Sequence, residues 1–169
     1  ATVSVGNKLG KKDYAALREA GYSAILMGAL FMFCCALLFL GGKHILPSLY
    51  IQDPEVISIA SGLMVIAAFF QISDGTQAVA MGALRGISDV KFPMGISFVS
   101  YWVIGLPVGY TFAFLAGFGA SGVWYGFIVG LTCSALLLVM RFKILSEQYL
   151  QKESEDFPAG PVAKGLAGK

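Results

Sequence analysis

Four stretches of this chain, residues 22–42, 56–84, 92–116 and 120–140, are each apolar over the ~20 residues that a helix needs to cross the hydrocarbon of a bilayer. None alternates polar with apolar residues as a barrel strand must, and each is far longer than the ~4–8 residues of a strand. In lipid only helices and closed barrels satisfy all their own backbone groups. The chain therefore reads as an all-α membrane protein with four transmembrane helices. Composition agrees: 13% of residues are charged, against about 25% in soluble domains.

Placement of charge predicts orientation. Lys8, Lys11, Lys12 and Arg18 precede the first stretch, and Arg85 and Lys91 lie between the second and third. Arg141, Lys143, Lys152, Lys164 and Lys169 follow the fourth, and Lys43 alone stands on the opposite side. The positive-inside rule then predicts a multi-pass protein of the plasma (inner) membrane with both ends cytoplasmic.

Residues 1–9 read as the end of a preceding transmembrane helix, so the chain is expected to be a fragment of a longer one. Residues 10–21 read as a cytoplasmic linker helix at the interface. Residues 22–144 form the four-helix part, and 145–169 a cytoplasmic tail expected to be disordered beyond about residue 154. Asp53, Pro54 and Glu55 form a helix start, with Asp as N-cap and Pro at the first helical position.

Asp74 is the only charged residue between Val56 and Leu84. It lies 11 residues before Arg85, which at ~1.5 Å per residue sets its carboxyl roughly 16 Å below the membrane edge, near the midplane. An ionised group there costs at least ~2.5 kcal/mol and ordinarily marks an ion, proton or substrate pathway. The alternative is structural: a protonated carboxyl bonded to a neighbouring helix. Gln71 and Gln77 follow the same face at three-residue spacing and offer oxygens to a hard cation or support to a proton site. Gly75 beside Asp74 points to a bend or a close helix contact. Pro107, in the sequence GLPVG from Gly105 to Gly109, is expected to kink the third helix, with the two glycines lining a helix contact. Tyr101, Trp102 and Tyr110 are candidates for the wall of a solute cavity.

Other motifs carry less. Cys34, Cys35 and Cys133 lie inside spans and read as small apolar residues. His44 is the one histidine, so no metal site is expected beyond a possible Na⁺ at Asp74. The GxGxxG match at 117–122 follows no strand and joins two membrane helices, which argues against a dinucleotide site. No hydrolase triad, HExxH or Walker loop is present, and an enzyme is not expected.

Three stretches together resemble the multidrug and toxin extrusion (MATE) transporters. They are VSVGNKLG at 3–10; Phe70-Gln71 through Asp74-Gly75-Thr-Gln77 to Gly82-Ala-Leu-Arg85-Gly86; and Tyr101 to Tyr110 with Gly122, Trp124 and Gly126 following. The resemblance covers about residues 1–145 and is to the second lobe of the NorM-like branch. It implies a twelve-helix exporter of two six-helix lobes, of which this chain holds the end of helix 8 and helices 9–12. It implies Na⁺ or H⁺ as coupling ion at Asp74, with no other cofactor. The partners implied are membrane lipid, the first lobe of the same transporter and an organic cation or other xenobiotic, with no nucleic acid. A lipid-linked oligosaccharide flippase of the same superfamily and a small four-helix membrane scaffold are the alternatives.

Overall fold

The computed structural model describes residues 1–156. Within them the chain is helical, and four helices are long and apolar enough to span a membrane. Helix α1 (Thr2–Gly10) ends at a tight turn through Lys11 and Lys12. Helix α2 (Tyr14–Gly42) starts at an Asp13 cap whose side chain accepts from Ala16 N–H at 3.0 Å. A short helix α3 (Ile45–Ser48) lies in the loop that follows. Helix α4 (Pro54–Gly86) begins at Asp53, which accepts from Glu55 N–H at 2.9 Å, with Pro54 leading the first turn. That cap satisfies a donor the helix itself cannot.

The third span, Lys91–Leu115, is not a uniform α-helix. It runs as α5 (Lys91–Phe98), a π segment (Val99–Gly105), α6 (Leu106–Tyr110) and a second π segment (Thr111–Leu115). The cause of the first wide turn is Pro107. It has no N–H to give, and its ring crowds the carbonyl one turn back. Leu106 N–H instead reaches five residues back to the Tyr101 carbonyl. After the proline, Thr111 Oγ1 donates to the Pro107 carbonyl at 2.8 Å. Gly117 and Gly119 have φ of 74° and 55° in the turn to α7 (Ala120–Asp156). Left-handed backbone needs glycine there, which accounts for the first two glycines of the GxGxxG match; the third, Gly122, packs on the backbone of the third span.

One expected boundary moves. Residues 14–21 are not a separate linker helix, since α2 runs unbroken from Tyr14 to Gly42. Leu17 is fully buried, and the Tyr14 ring stacks on Tyr149 of α7 at 5.3 Å. The segment is packed on the bundle along this stretch. At the other end, α7 continues as helix to Asp156, close to where order was expected to end. The rest of that expectation, residues 157–169, lies outside the described residues.

Helix α4 packs against α1, α2 and α7, and α7 against α4, α2 and the third span. The main core lies at the end that carries most of the Lys and Arg. It joins Val5 of α1, Leu17 and Ile25 of α2, Ala80, Ala83 and Leu84 of α4, and Leu138 and Phe142 of α7. At the same end Arg141 donates to Asp89 at 3.0 Å and lies 4.3 Å over the Phe92 ring. Thr2 Oγ1 donates to the Gly82 carbonyl at 2.8 Å, and the α1 backbone lies against Gly86.

The third span meets α7 along glycines. Gly122, Gly126 and Gly130 recur every fourth residue, so they form one stripe of the helix. A Cβ on Gly126 would overlap the Cα and N of Gly109, and one on Gly122 would overlap the backbone of Ala113. Lipid supplies no hydrophobic drive between helices, so close backbone packing of this kind carries their association.

Candidate functional site

The centre of α4 sends neighbouring side chains to different surroundings. The Phe70 ring meets Trp124 of α7 edge-on at 6.1 Å. Ser73 Oγ and Thr132 Oγ1 of α7 are hydrogen bonded at 2.9 Å. Gly75 is buried against Met32 of α2, where a Cβ would overlap the Met32 side chain. Gln77 is buried, and its Oε1 accepts from the Tyr101 hydroxyl of the third span at 2.7 Å.

Asp74, between these contacts, is exposed among the described residues. It stands on the face of α4 that α2, α7 and the third span leave open. The three polar residues therefore do not share one environment. Gln77 has committed its oxygen to Tyr101. Gln71 is half-buried, and its Oε1 is a buried acceptor with no hydrogen-bond partner. Most buried acceptors are satisfied, so an unmet oxygen one turn from Asp74 suits a bound cation or an added donor. Among the described residues no three His, Cys, Asp or Glu side chains gather as a metal site. A cation at Asp74 would draw its remaining ligands from amides, carbonyls or water.

Tyr101, Trp102 and Tyr110 lie together along a groove of about 460 Å³ between the third span and α7. Gly105 and Gly109 lie in it with them, and Phe114 and Phe127 complete its aromatic wall. Asp74 is not part of that wall. Tyr101 nonetheless links the two places, since its ring lines the groove and its hydroxyl is bonded to Gln77, one turn from Asp74 on α4.

Pro107 is exposed and Gly105 and Gly109 are buried on the α7 contact. The tightest approach is set from the other side, at Gly122 and Gly126. A Cβ on Gly105 would stand 3.2 Å from the Gly126 carbonyl oxygen and 3.3 Å from that of Ser100, tight but short of the overlap at Gly126. Sequence reasoning missed a line of hydroxyls on the same interface. Ser97 and Ser134 are bonded at 3.3 Å, and Ser100, one turn on, is fully buried with its Oγ unpartnered. The serines were visible in the sequence, but their partners are 37 residues or more away along the chain.

This architecture, with four apolar helices and an ionisable group midway along one of them, is that of a multi-pass α-helical membrane protein. The MatE family profile matches residues 1–111, and the chain belongs to that family. It is 39% identical over 151 residues to the multidrug resistance protein MdtK of Pectobacterium atrosepticum, covering 87% of this chain and 33% of the relative. It is 42% identical over 149 residues to the multidrug resistance protein NorM of Burkholderia vietnamiensis, covering 85% and 32%. The chain thus spans about a third of the length of the curated relatives it matches. Its fold is similar to that of the crystal structure of the eukaryotic MATE transporter AtDTX14. The TM-score is 0.77 at 20% identity, over 89% of this chain and 35% of that one.

Proposed function

We propose that this chain is a second-lobe portion of a two-lobe, cation-coupled multidrug efflux antiporter, acting in transport and not in catalysis. Asp74 is the coupling residue, and Na⁺ or H⁺ the coupling ion. The observation that carries the reading is a lone carboxylate halfway along a spanning helix, on the face left open by the helices around it. An ionised carboxylate at that depth is unfavourable when empty, so a cation or proton that neutralises it stabilises whichever state presents it. Binding moves the inward–outward equilibrium only by its preference between the two states. Gln71 supplies a further oxygen, and Gln77 acts through Tyr101. The aromatic groove takes an organic cation or other xenobiotic. An oligosaccharide flippase would want basic residues near its substrate, and the groove has none.

In the full-length transporter, Asp74→Asn keeps shape and removes charge. The expected result is a folded protein that has lost efflux driven by an imposed Na⁺ or H⁺ gradient in vesicles. Full gradient-driven efflux by the variant returns Asp74 to a structural role.

The same reading sets both ends in the cytoplasm of a cell bounded by the inner membrane. In a cysteine-free background, an impermeant thiol reagent should label Leu49→Cys from outside and Ser88→Cys only from inside. Both positions are exposed. Labelling of position 88 from outside sinks the orientation.

A further inference from the structure

Tyr101 belongs to two features at once. Its ring forms part of the apolar groove beside Trp102, Tyr110 and Phe127. Its hydroxyl donates to Gln77 Oε1 at 2.7 Å. Gln77 is 8% exposed, so water competes poorly for that bond, and a hydrogen bond in such surroundings is stronger than one in water. On α4, Gln77 is one turn beyond Asp74, so the phenol is tied to the helix that carries the carboxylate. Tyr101 also sits within the π segment Val99–Gly105, a backbone form that recurs at functional sites. A ligand against the ring therefore pushes on a side chain whose other end is tied to the helix of the carboxylate.

We propose that Tyr101 is a positioning residue that couples the groove to Asp74: a flat aromatic cation seated against the Tyr101 ring displaces the phenol from Gln77 and so changes how tightly Asp74 holds its coupling ion. The proposal rests on the assignment of Asp74 as the coupling residue. An aromatic cation suits the groove because its faces stack on Trp102 and Tyr110, and rings of this kind attract positive charge. The coupling is reciprocal, since an ion that alters Tyr101 must alter solute affinity by the same factor. A residue that merely filled the wall would change solute affinity equally with and without the ion.

The test uses the purified full-length transporter and ethidium as the aromatic cation. Its Kd is read by fluorescence without and with saturating Na⁺, and in a second series at high and low pH. The ratio of the two Kd values is the readout. The parent protein is expected to show a ratio of at least about fivefold in one series, and Tyr101→Phe a ratio within about twofold of unity. Gln77→Leu removes the same bond from the other side. It should reproduce that loss, and the double variant should add nothing to it. A parental ratio in Tyr101→Phe overturns the proposal. Asp74→Asn separates the two claims. If it loses the ratio while Tyr101→Phe keeps it, the Tyr101 link alone is wrong. If Asp74→Asn keeps the ratio, or if the parent shows none, the assignment of Asp74 fails and the link fails with it.

Discussion

The basic end of the bundle and the seam between the third span and α7 are packed by opposite means. At the basic end large side chains fill the space. Phe142 is fully buried, its ring presses on the bare Cα of Gly21, and Tyr22 meets it edge-on at 5.7 Å. Helices α1, α2, α4 and α7 all contribute, and the ion pair of Arg141 with Asp89 lies beside them. In the seam the side chains are missing. Gly109 and Gly126 let two backbones touch, one partner helix is part π, and the Ser100 hydroxyl is buried without a partner. The first region resists change because many atoms interlock. The second is close but sparsely tied, and it borders the aromatic groove. The difference makes the basic end the frame of the bundle, held by interlocking side chains, and the seam a contact of bare backbones.

The sharpest way to break this comparison is at Gly126. A single methyl in Gly126→Ala would overlap Gly109 backbone, which has no rotamer to escape into. Its expected cost is about 3 kcal/mol or more, the upper end for overpacking, read as a large fall in thermal stability in detergent. Gly105→Ala should cost far less, because its Cβ meets nothing closer than 3.2 Å. Equal effects at the two positions would mean that the seam is not set by backbone contact.

Phe142→Ala tests the frame. It should cost about 3 kcal/mol, at the low end for a buried aromatic because part of the cavity can close. A companion Gly21→Ala should also destabilise, since Cβ would overlap the Phe142 ring. In the double variant Phe142→Ala/Gly21→Ala the second change should cost little, as the ring it struck has gone. Additive losses would show that the two residues do not pack as described.

The smallest effects belong to the charges. Arg141→Ala removes a half-buried pair to Asp89 at 3.0 Å and should cost about 1 kcal/mol. Arg18→Ala loses a more exposed 3.6 Å contact to Glu147 and a loose 5.8 Å approach to the Tyr22 ring, together worth roughly half a kcal/mol. Arg18 outweighing Arg141 would shift the frame towards the α2–α7 contact.

Much of the molecule was legible before the structure. Apolar length marked the spans, and Asp53-Pro54-Glu55 marked the start of α4, because caps and hydrocarbon thickness are local constraints. Asp74 stood out because one carboxylate in an apolar run is unusual whatever surrounds it. The continuity of residues 14–21 with α2 was not legible, because their charge pattern fits a separate interfacial helix as well as it fits the start of a helix packed on α7. The burial of Leu17 and the α7 contact of Tyr14 decide it, and both depend on residues far away in the chain.

What the sequence by itself determined, then, was the helical class, four helices long and apolar enough to span, and one ionisable group midway along one of them. These depend on how residues partition between water and lipid, position by position. The tertiary structure decided the rest. It divided Gln71, Asp74 and Gln77 among three environments, gave Gln77 to Tyr101, and made Gly126 rather than Gly105 the closest point of the seam. A helical wheel gives only the direction in which a side chain leaves its own axis. Which helix stands there, at what height and how close, depends on packing between residues far apart in the chain.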